Sequence, residues 1–131
     1  ILGKLAPDGA LLALDVDPLA IAEAQSLAAG DSRVRVHHLP HSELKAAIPD
    51  GVLLSGALFD VGVNEASERD PRRGFFSHDD LRCDLRMNPA IGMSATEWLT
   101  TVGSDELAWV IREYGDDEEV GQGVRTSAGW G

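Results

Sequence analysis

Residues 10–18 read Ala-Leu-Leu-Ala-Leu-Asp-Val-Asp-Pro, an apolar run that ends in two acids and a proline. A short continuous apolar run is typical of a strand buried on both faces of a sheet. Asp17 is a favourable N-cap, and Pro18 suits the first position of a helix. Apolar side chains then recur on one face until Gly30, so this stretch predicts a strand followed by a helix of about twelve residues.

The same alternation continues downstream. Arg33–His37 alternates with period two, Ser42–Ile48 has the pattern of a short helix, and Val52–Phe59 is a third apolar run that Gly56 interrupts. The predicted order is strand, helix, strand, helix, strand. Short connections in this order indicate the α/β class, with a parallel sheet covered by helices, as in half of a doubly wound fold.

The second half of the chain has a different character. Residues 61–92 form a long polar stretch, and a loop of that length is usually functional or packed against another piece. Ser94-Ala95-Thr96-Glu97 forms a capping box, and Ser104 is a candidate cap for a helix that ends at Tyr114-Gly115. The sequence predicts two short helices here, followed by a loose tail.

Composition limits the classes of function. The 131 residues suffice for one domain or part of a larger one, and the net charge of −11 argues against a generally basic nucleic-acid surface. The single Cys83 excludes an internal disulfide, and the four histidines lack ligand spacing, so no metal site is expected. No apolar stretch reaches the roughly 18–20 residues of a membrane span, so no membrane partner is expected. The chain opens without Met on a helix-like turn, and we therefore expect a fragment.

Two acids stand where ligands bind in open parallel sheets. Asp15 ends the first predicted strand and Asp60 the third, and ligands bind beyond the carboxyl ends of such strands. A carboxylate there commonly accepts hydrogen bonds from the two hydroxyls of a ribose, although that role requires a glycine-rich loop one strand earlier. Upstream of the first predicted strand the chain has only Gly3 and Gly9, the latter in the Pro7-Asp8-Gly9 turn, and no glycine-rich loop. Simple solvation of a strand end, or an N-cap, stays open as the alternative for Asp15.

Several motifs occur in one order along the chain: Leu14–Pro18, Phe59–Val63, Arg72–Phe75, Asp84–Pro89, Ala95–Leu99 and Glu113–Gly115. Together they resemble the small-subunit ribosomal RNA cytosine-N4 methyltransferases of the RsmH (MraW) type. The Arg-Gly-Phe and Asp-Leu-Arg-Met segments are peculiar to that family. The resemblance runs from about residue 1 to 117.

The resemblance implies a Rossmann-like S-adenosylmethionine-dependent methyltransferase with a partial parallel sheet and part of an inserted helical domain. Residues 1–83 would form the methyltransferase domain without its first strand and glycine-rich loop. Residues 84–115 would belong to the insert, and 116–131 would form a divergent acidic and glycine-rich tail. The implied partner is small-subunit ribosomal RNA or its particle, with homodimer formation left open. The implied location is the cytoplasm of a bacterium, or a mitochondrion or plastid of a eukaryote.

The resemblance also implies site residues. S-adenosylmethionine would place its ribose hydroxyls on Asp15 and its adenosine and methionine end beside Asp60. His41 stands where the family has an aromatic residue and would stack on adenine, and Ser67 stands where the family has Gln. Asp60 and Asn64 are the expected catalytic residues, with the Asn64 amide at the base edge. An exposed loop position is the alternative for Asn64.

Basic side chains supply the expected RNA contacts. Arg72, Arg73 and Arg86 are the candidates for binding RNA phosphates. An internal salt bridge with Asp84 is an equally good interpretation of Arg86.

Two other classes of function compete with the enzyme. A catalytically inactive relative would act as an RNA-binding or ribosome-assembly module, as the absent donor loop and the changed positions Asn64 and Ser67 suggest. A nicotinamide-dependent oxidoreductase with Asp15 on the ribose is a weaker alternative, because nothing after Asp60 resembles a hydride-transfer site.

Overall fold

The computed structural model describes residues 1–76 and 83–115. The chain divides into two compact units, Ile1–Gly92 and Met93–Gly131. Within the described ranges, every helix falls short of the length and apolarity that crossing a bilayer requires.

The first unit is built around a β-α-β arrangement. Strands β1 (Leu11–Asp15) and β2 (Val34–His38) pair in parallel, and helix α1 (Pro18–Gly30) connects them and packs on both. The register places Asp15 directly beside His38, so both strands finish at the same edge of the sheet. The two predicted strands are confirmed, each displaced by one residue along the chain.

The ends of α1 follow from its sequence. The Asp17 carboxylate accepts a hydrogen bond from the backbone N–H of Leu19 at 2.9 Å, and Pro18 occupies the first helical position. Gly30 closes the helix, and the N–H of Asp31 donates to the carbonyl of Ala28. The predicted helix is therefore confirmed at both ends.

The apolar core of the described residues is small. A 3-10 turn at His41–Glu43 leads into the short helix α2 (Leu44–Ala47), within the predicted helical stretch. The buried apolar side chains in the described ranges are Ile21, Val34 and Ala47. With so few of them, polar interactions in the interior carry more of the fold than is usual.

The third predicted strand is wrong. Residues 52–59 form no strand, and Leu53 and Leu58 are 93% and 77% exposed. A strand needs a neighbour to satisfy its backbone N–H and C=O groups, and in the described part of the chain β1 and β2 pair only with each other. Apolar composition alone does not supply that neighbour.

The polar stretch after residue 61 contains a helix that the sequence analysis did not predict. Asn64 is the N-cap of helix α3 (Glu65–Arg69), and its side-chain oxygen accepts a hydrogen bond from the N–H of Ser67. Residues 84–92 belong to the first unit, whereas the predicted boundary follows residue 83. They stay there because Arg73 donates hydrogen bonds to the carbonyls of Arg86 and Met87.

The second unit contains helices α4 (Ala95–Leu99) and α5 (Ser104–Gly115). The predicted capping box is present, with Ser94 and Glu97 exchanging hydrogen bonds between side chain and backbone. Helix α5 spans Ser104–Gly115, so the predicted C-terminal end is confirmed. Ser104 is the first helical residue and not the predicted cap, and the N–H of Leu107 donates to the carbonyl of Gly103, which precedes the helix. The predicted tail beyond Gly121 lies outside the described residues.

Candidate active site at the end of β1

The turn that follows β1 carries two carboxylates with different surroundings. Asp15 is partly exposed, and its Oδ1 accepts a hydrogen bond from the backbone N–H of Asp17 at 2.8 Å. In the described part of the chain, its Oδ2 accepts none. The Asp15 carboxylate is thus oriented through one oxygen, and the other is open to a ligand at the carboxyl end of the strand.

Asp17 is fully buried and is surrounded by donors. Its Oδ2 accepts hydrogen bonds from the Asn64 side-chain amide at 2.9 Å and from the Ser67 hydroxyl. The Arg73 guanidinium donates through Nη1 to Oδ1 at 3.3 Å and through Nη2 to Oδ2 at 3.1 Å. Together with the cap to Leu19, these contacts saturate the carboxylate, as a buried charge requires.

Arg73 connects Asp17 to a third segment of the chain. Its Nη2 also donates to the carbonyl oxygens of Arg86 and Met87, each at 2.8 Å. Its Cζ lies 5.5 Å from the centre of the Phe75 ring, a cation–π distance. Its Nη1 donates to the Ser67 hydroxyl of α3 at 3.1 Å. One guanidinium therefore holds together the β1–α1 turn, the α3 segment and residues 86–87.

The β1–α1 turn is also held from the side of β2. Nε2 of His38 lies 2.9 Å from the carbonyl oxygen of Val16, the distance of a donated N–H bond. Val16 and Asp17 are thus fixed by two separate partners, His38 and Arg73. The position of Asp15, directly before them, follows from both.

Two further predicted site residues lie on the surface. His41 is exposed, and its ring meets that of Phe59 edge to face, with the ring centres 6.2 Å apart. Asp60 directly follows Phe59 and is exposed. The His41–Phe59 contact brings the segment after β2 to the segment that carries Asp60.

Comparison with known protein families decides what kind of protein carries this arrangement. A family model described as the MraW methylase family matches residues 1–125, nearly the whole chain. The chain belongs to the MraW methylase family. This membership confirms the predicted family and fold class, an α/β methyltransferase fold of Rossmann-like type that is represented here by a small parallel sheet. The match continues beyond residue 117, where the resemblance traced in the sequence stops.

In this member of the MraW methylase family, Asn64 and Ser67 face the protein interior. The Asn64 amide donates to Asp17 and to the Ser67 hydroxyl, and Ser67 is fully buried. Their expected contacts with a substrate base and with a cofactor are corrected accordingly. The physical reason is the buried carboxylate of Asp17, which accepts a hydrogen bond from each side chain, together with the helix cap in which Asn64 Oδ1 accepts from the Ser67 N–H.

The three candidate RNA-binding arginines have different positions. Arg73 is buried on Asp17, so its expected phosphate contact is corrected to an internal ion pair. The side chain of Arg72 is 87% exposed and is paired with Asp70. Arg86 is held by Asp84 and by the carbonyl of Gly92, which confirms the salt bridge that was its alternative interpretation.

Sequence reasoning missed the part that Asp17 plays. It treated Asp17 as an N-cap alone, whereas Asp17 is also the centre of the buried cluster. The available signal was that the family motif Asp15-Val16-Asp17 carries two carboxylates, whereas a helix cap requires only one. Its partner, Arg73, lies 56 residues away in sequence, and no local pattern connects the two.

Titration of Asp17 is expected to influence stability. Burial by itself raises the pKa of Asp17, but hydrogen bonds from Ser67, Arg73 and Leu19 and the charge of Arg73 outweigh it, so the pKa lies below its ordinary value of 3.8. The folded state therefore binds this proton less readily than the unfolded state. The contribution of Asp17 to stability is complete above the ordinary pKa and is lost as the pH falls through the folded-state pKa.

We expect a decrease in the free energy of unfolding as the pH is lowered through about 4, and a flatter profile for Asp17→Asn. Urea unfolding at a series of pH values measures both. Arg33 and Arg72 lower the pKa values of Asp31 and Asp70 to about 2, so these groups also reduce stability as the pH falls. Both are present in wild type and in Asp17→Asn, so they do not account for a difference between the two profiles. Equal slopes for wild type and Asp17→Asn would contradict the expectation.

Proposed function

We propose that this protein transfers a methyl group from S-adenosylmethionine to the N4 amine of a cytidine in small-subunit ribosomal RNA. The observation that carries the proposal is the Asp15 carboxylate, held at the carboxyl end of β1 with one oxygen open, in a chain of the MraW methylase family. Family membership supports methyl transfer. The donor and the RNA target are inferred from the motifs that the chain shares with the cytosine-N4 enzymes.

The residues at this edge of the sheet fit the donor in part. Asp15 offers its open oxygen and the remaining lone pair of Oδ1, which suits the two hydroxyls of a ribose. His41 offers an exposed ring for stacking on adenine, next to Phe59. The polar side-chain atoms of Asn64 and Ser67 are bonded to Asp17 and to each other's segment: both side chains donate to Asp17, and Asn64 Oδ1 accepts from the Ser67 N–H.

The bound donor would supply an electrophilic methyl group on a sulfonium. On the protein side, the amine of the target base must be placed in line with that methyl group. The new N–C bond would form as the S–C bond of the sulfonium breaks, the donor would leave as a neutral thioether, and the amine would release one proton to solvent. Asp60 is exposed and follows the Phe59 that contacts His41, so we assign it as the acceptor that orients the amine hydrogens. Positioning of this kind accounts for most of the rate in such transfers.

Nucleoside mass spectrometry tests the proposal. The intact protein is incubated with S-adenosylmethionine and unmethylated small-subunit particles or naked ribosomal RNA, and N4-methylcytidine should accumulate. Asp60→Asn should reduce the rate by a factor of about 10²–10⁴, the range for groups that handle a proton or orient it. Absence of N4-methylcytidine with both substrates would refute the proposal.

One structural observation favours the second candidate, a non-catalytic binding module. Two positions expected to face donor and base, Asn64 and Ser67, are used inside the protein instead. Such a module would bind small-subunit particles without measurable affinity for S-adenosylhomocysteine, the product that the donor becomes after methyl transfer. Isothermal titration calorimetry separates the two candidates.

A further inference from the structure

We propose that Arg73 is a positioning residue, which fixes the carboxylate of Asp15 by way of Asp17. The inference rests on the proposed function, in which Asp15 binds the donor ribose. The connection has three links: the Arg73 guanidinium donates to the Asp17 carboxylate, the backbone N–H of Asp17 donates to Asp15 Oδ1, and Asp15 ends β1.

The Asp17 carboxylate receives more donors than helix capping needs. A cap requires one hydrogen bond, here the one from Leu19. The additional donors come from Arg73, Asn64 and Ser67 and leave the carboxylate a single orientation. Because the Asp17 N–H belongs to the same residue, its direction toward Asp15 is fixed as well.

Burial makes the link between Arg73 and Asp17 strong and directional. The side chains of Arg73 and Asp17 are 7% and 0% exposed, so water does not screen the pair. The guanidinium is in turn held by the carbonyls of Arg86 and Met87 and by the ring of Phe75. Arg73 is therefore a fixed point against which the β1–α1 turn is set.

An exposed ion pair in the same region of the chain provides a control for the buried pair of Arg73 and Asp17. Arg69 and Glu65 form an ion pair one helical turn apart on α3, and their side chains are 75% and 71% exposed. Arg69→Gln removes the same charge as Arg73→Gln, from the same region of the chain, without disturbing the buried cluster. It serves as the control throughout.

Amide hydrogen exchange in the intact protein, followed by NMR, tests the proposal without any donor. We expect the Asp17 N–H to exchange at least about tenfold faster in Arg73→Gln, while the N–H of Leu11 in β1, which donates to the carbonyl of Arg33 at 2.9 Å, keeps its wild-type rate. Arg73→Lys, which retains the charge but lacks the planar fork, should give an intermediate rate. Arg69→Gln should match wild type at both amides.

Two outcomes would overturn the proposal. Equal acceleration at Asp17 and Leu11 would mean that Arg73 supports stability in general and not the turn. An unchanged rate at Asp17 would mean that the turn is held without Arg73. If Arg73→Gln does not fold, Arg73→Lys is judged by the same two amides.

Donor affinity separates this inference from the proposed function. Calorimetry with S-adenosylhomocysteine is expected to show weaker binding in Asp15→Ala and about tenfold weaker binding in Arg73→Lys, because a displaced carboxylate pairs poorly with a diol. Weaker binding in Asp15→Ala with unchanged binding in Arg73→Lys would refute the positioning role of Arg73 but would not contradict the proposed function. No change in Asp15→Ala would refute the ribose role, and the exchange rates would still decide whether Arg73 fixes the turn.

Discussion

Arg73→Met is expected to lower the free energy of unfolding by about 3–5 kcal/mol, the cost of leaving one member of a buried ion pair without its partner. The Asp17 carboxylate would keep Asn64, Ser67 and Leu19 as donors but lose its only counter-charge among the described residues. The carbonyls of Arg86 and Met87 would lose a donor as well. Urea denaturation followed by circular dichroism measures the change.

A double variant tests whether the loss of stability in Arg73→Met comes from the unpaired charge of Asp17. Adding Asp17→Asn to Arg73→Met removes the unpaired buried charge while keeping the shape of the side chain and an oxygen for the helix cap. The double variant should therefore have a higher free energy of unfolding than Arg73→Met alone, whereas independent destabilising substitutions would add to give a lower one. If Arg73→Met is unfolded without denaturant, the double variant should recover native circular dichroism.

Arg69→Met is the matched control for Arg73→Met. Its ion pair with Glu65 is exposed and spans one helical turn, and such pairs contribute about 0.3–0.5 kcal/mol. A loss of stability in Arg73→Met as small as that in Arg69→Met would show that the Asp17 cluster does not depend on its cation.

Asp15→Ala is expected to weaken binding of S-adenosylhomocysteine by about 1–3 kcal/mol, the cost of leaving the ribose hydroxyls without their acceptor. This loss corresponds to a dissociation constant raised by a factor of about 5–150. Isothermal titration calorimetry on the intact protein measures it. Because Asp15 is partly exposed and its substitution leaves the Asp17 carboxylate with all of its donors, the fold should persist.

Asp8→Ala is the control for the Asp15 prediction. Asp8 is an exposed acid in the turn before β1, so the substitution removes the same charge without touching the end of the strand. Its affinity for S-adenosylhomocysteine should equal that of wild type. Equal affinities for Asp15→Ala and Asp8→Ala would remove Asp15 from the donor site.

Local sequence features were sufficient for the β-α-β arrangement. The apolar run before Asp15, the Asp17-Pro18 helix start and Gly30 each act within a few residues, so their outcome can be read without knowledge of the rest of the fold. The run at residues 52–59 has the same composition, but a strand also needs a neighbour to pair with. Composition predicts the tendency to form a strand and leaves the pairing open.

The candidate site shows the same division. Asp15, His41 and Asp60 have the exposure that their predicted roles need, because strand ends and the loops after them face solvent. Arg73, Asn64 and Ser67 have polar side chains of the kinds that bind ligands, and all three are used by Asp17. Whether a polar side chain serves a ligand or a buried charge depends on a partner about 50 residues away, which single-sequence reasoning could not locate.

The exposed apolar segment at residues 52–59 has a consequence for solubility. Exposed apolar segments with strand-forming tendency promote self-association, and charges that flank them oppose it. Here the flanking charges are Asp50 and Asp60, and the net charge of −11 adds general repulsion between molecules. We therefore expect Asp60 to oppose self-association, besides its proposed catalytic role. We expect a neutral residue at position 60 to lower the concentration of soluble protein as well as the methylation rate. The rate of Asp60→Asn therefore has to be divided by the concentration of monodisperse protein.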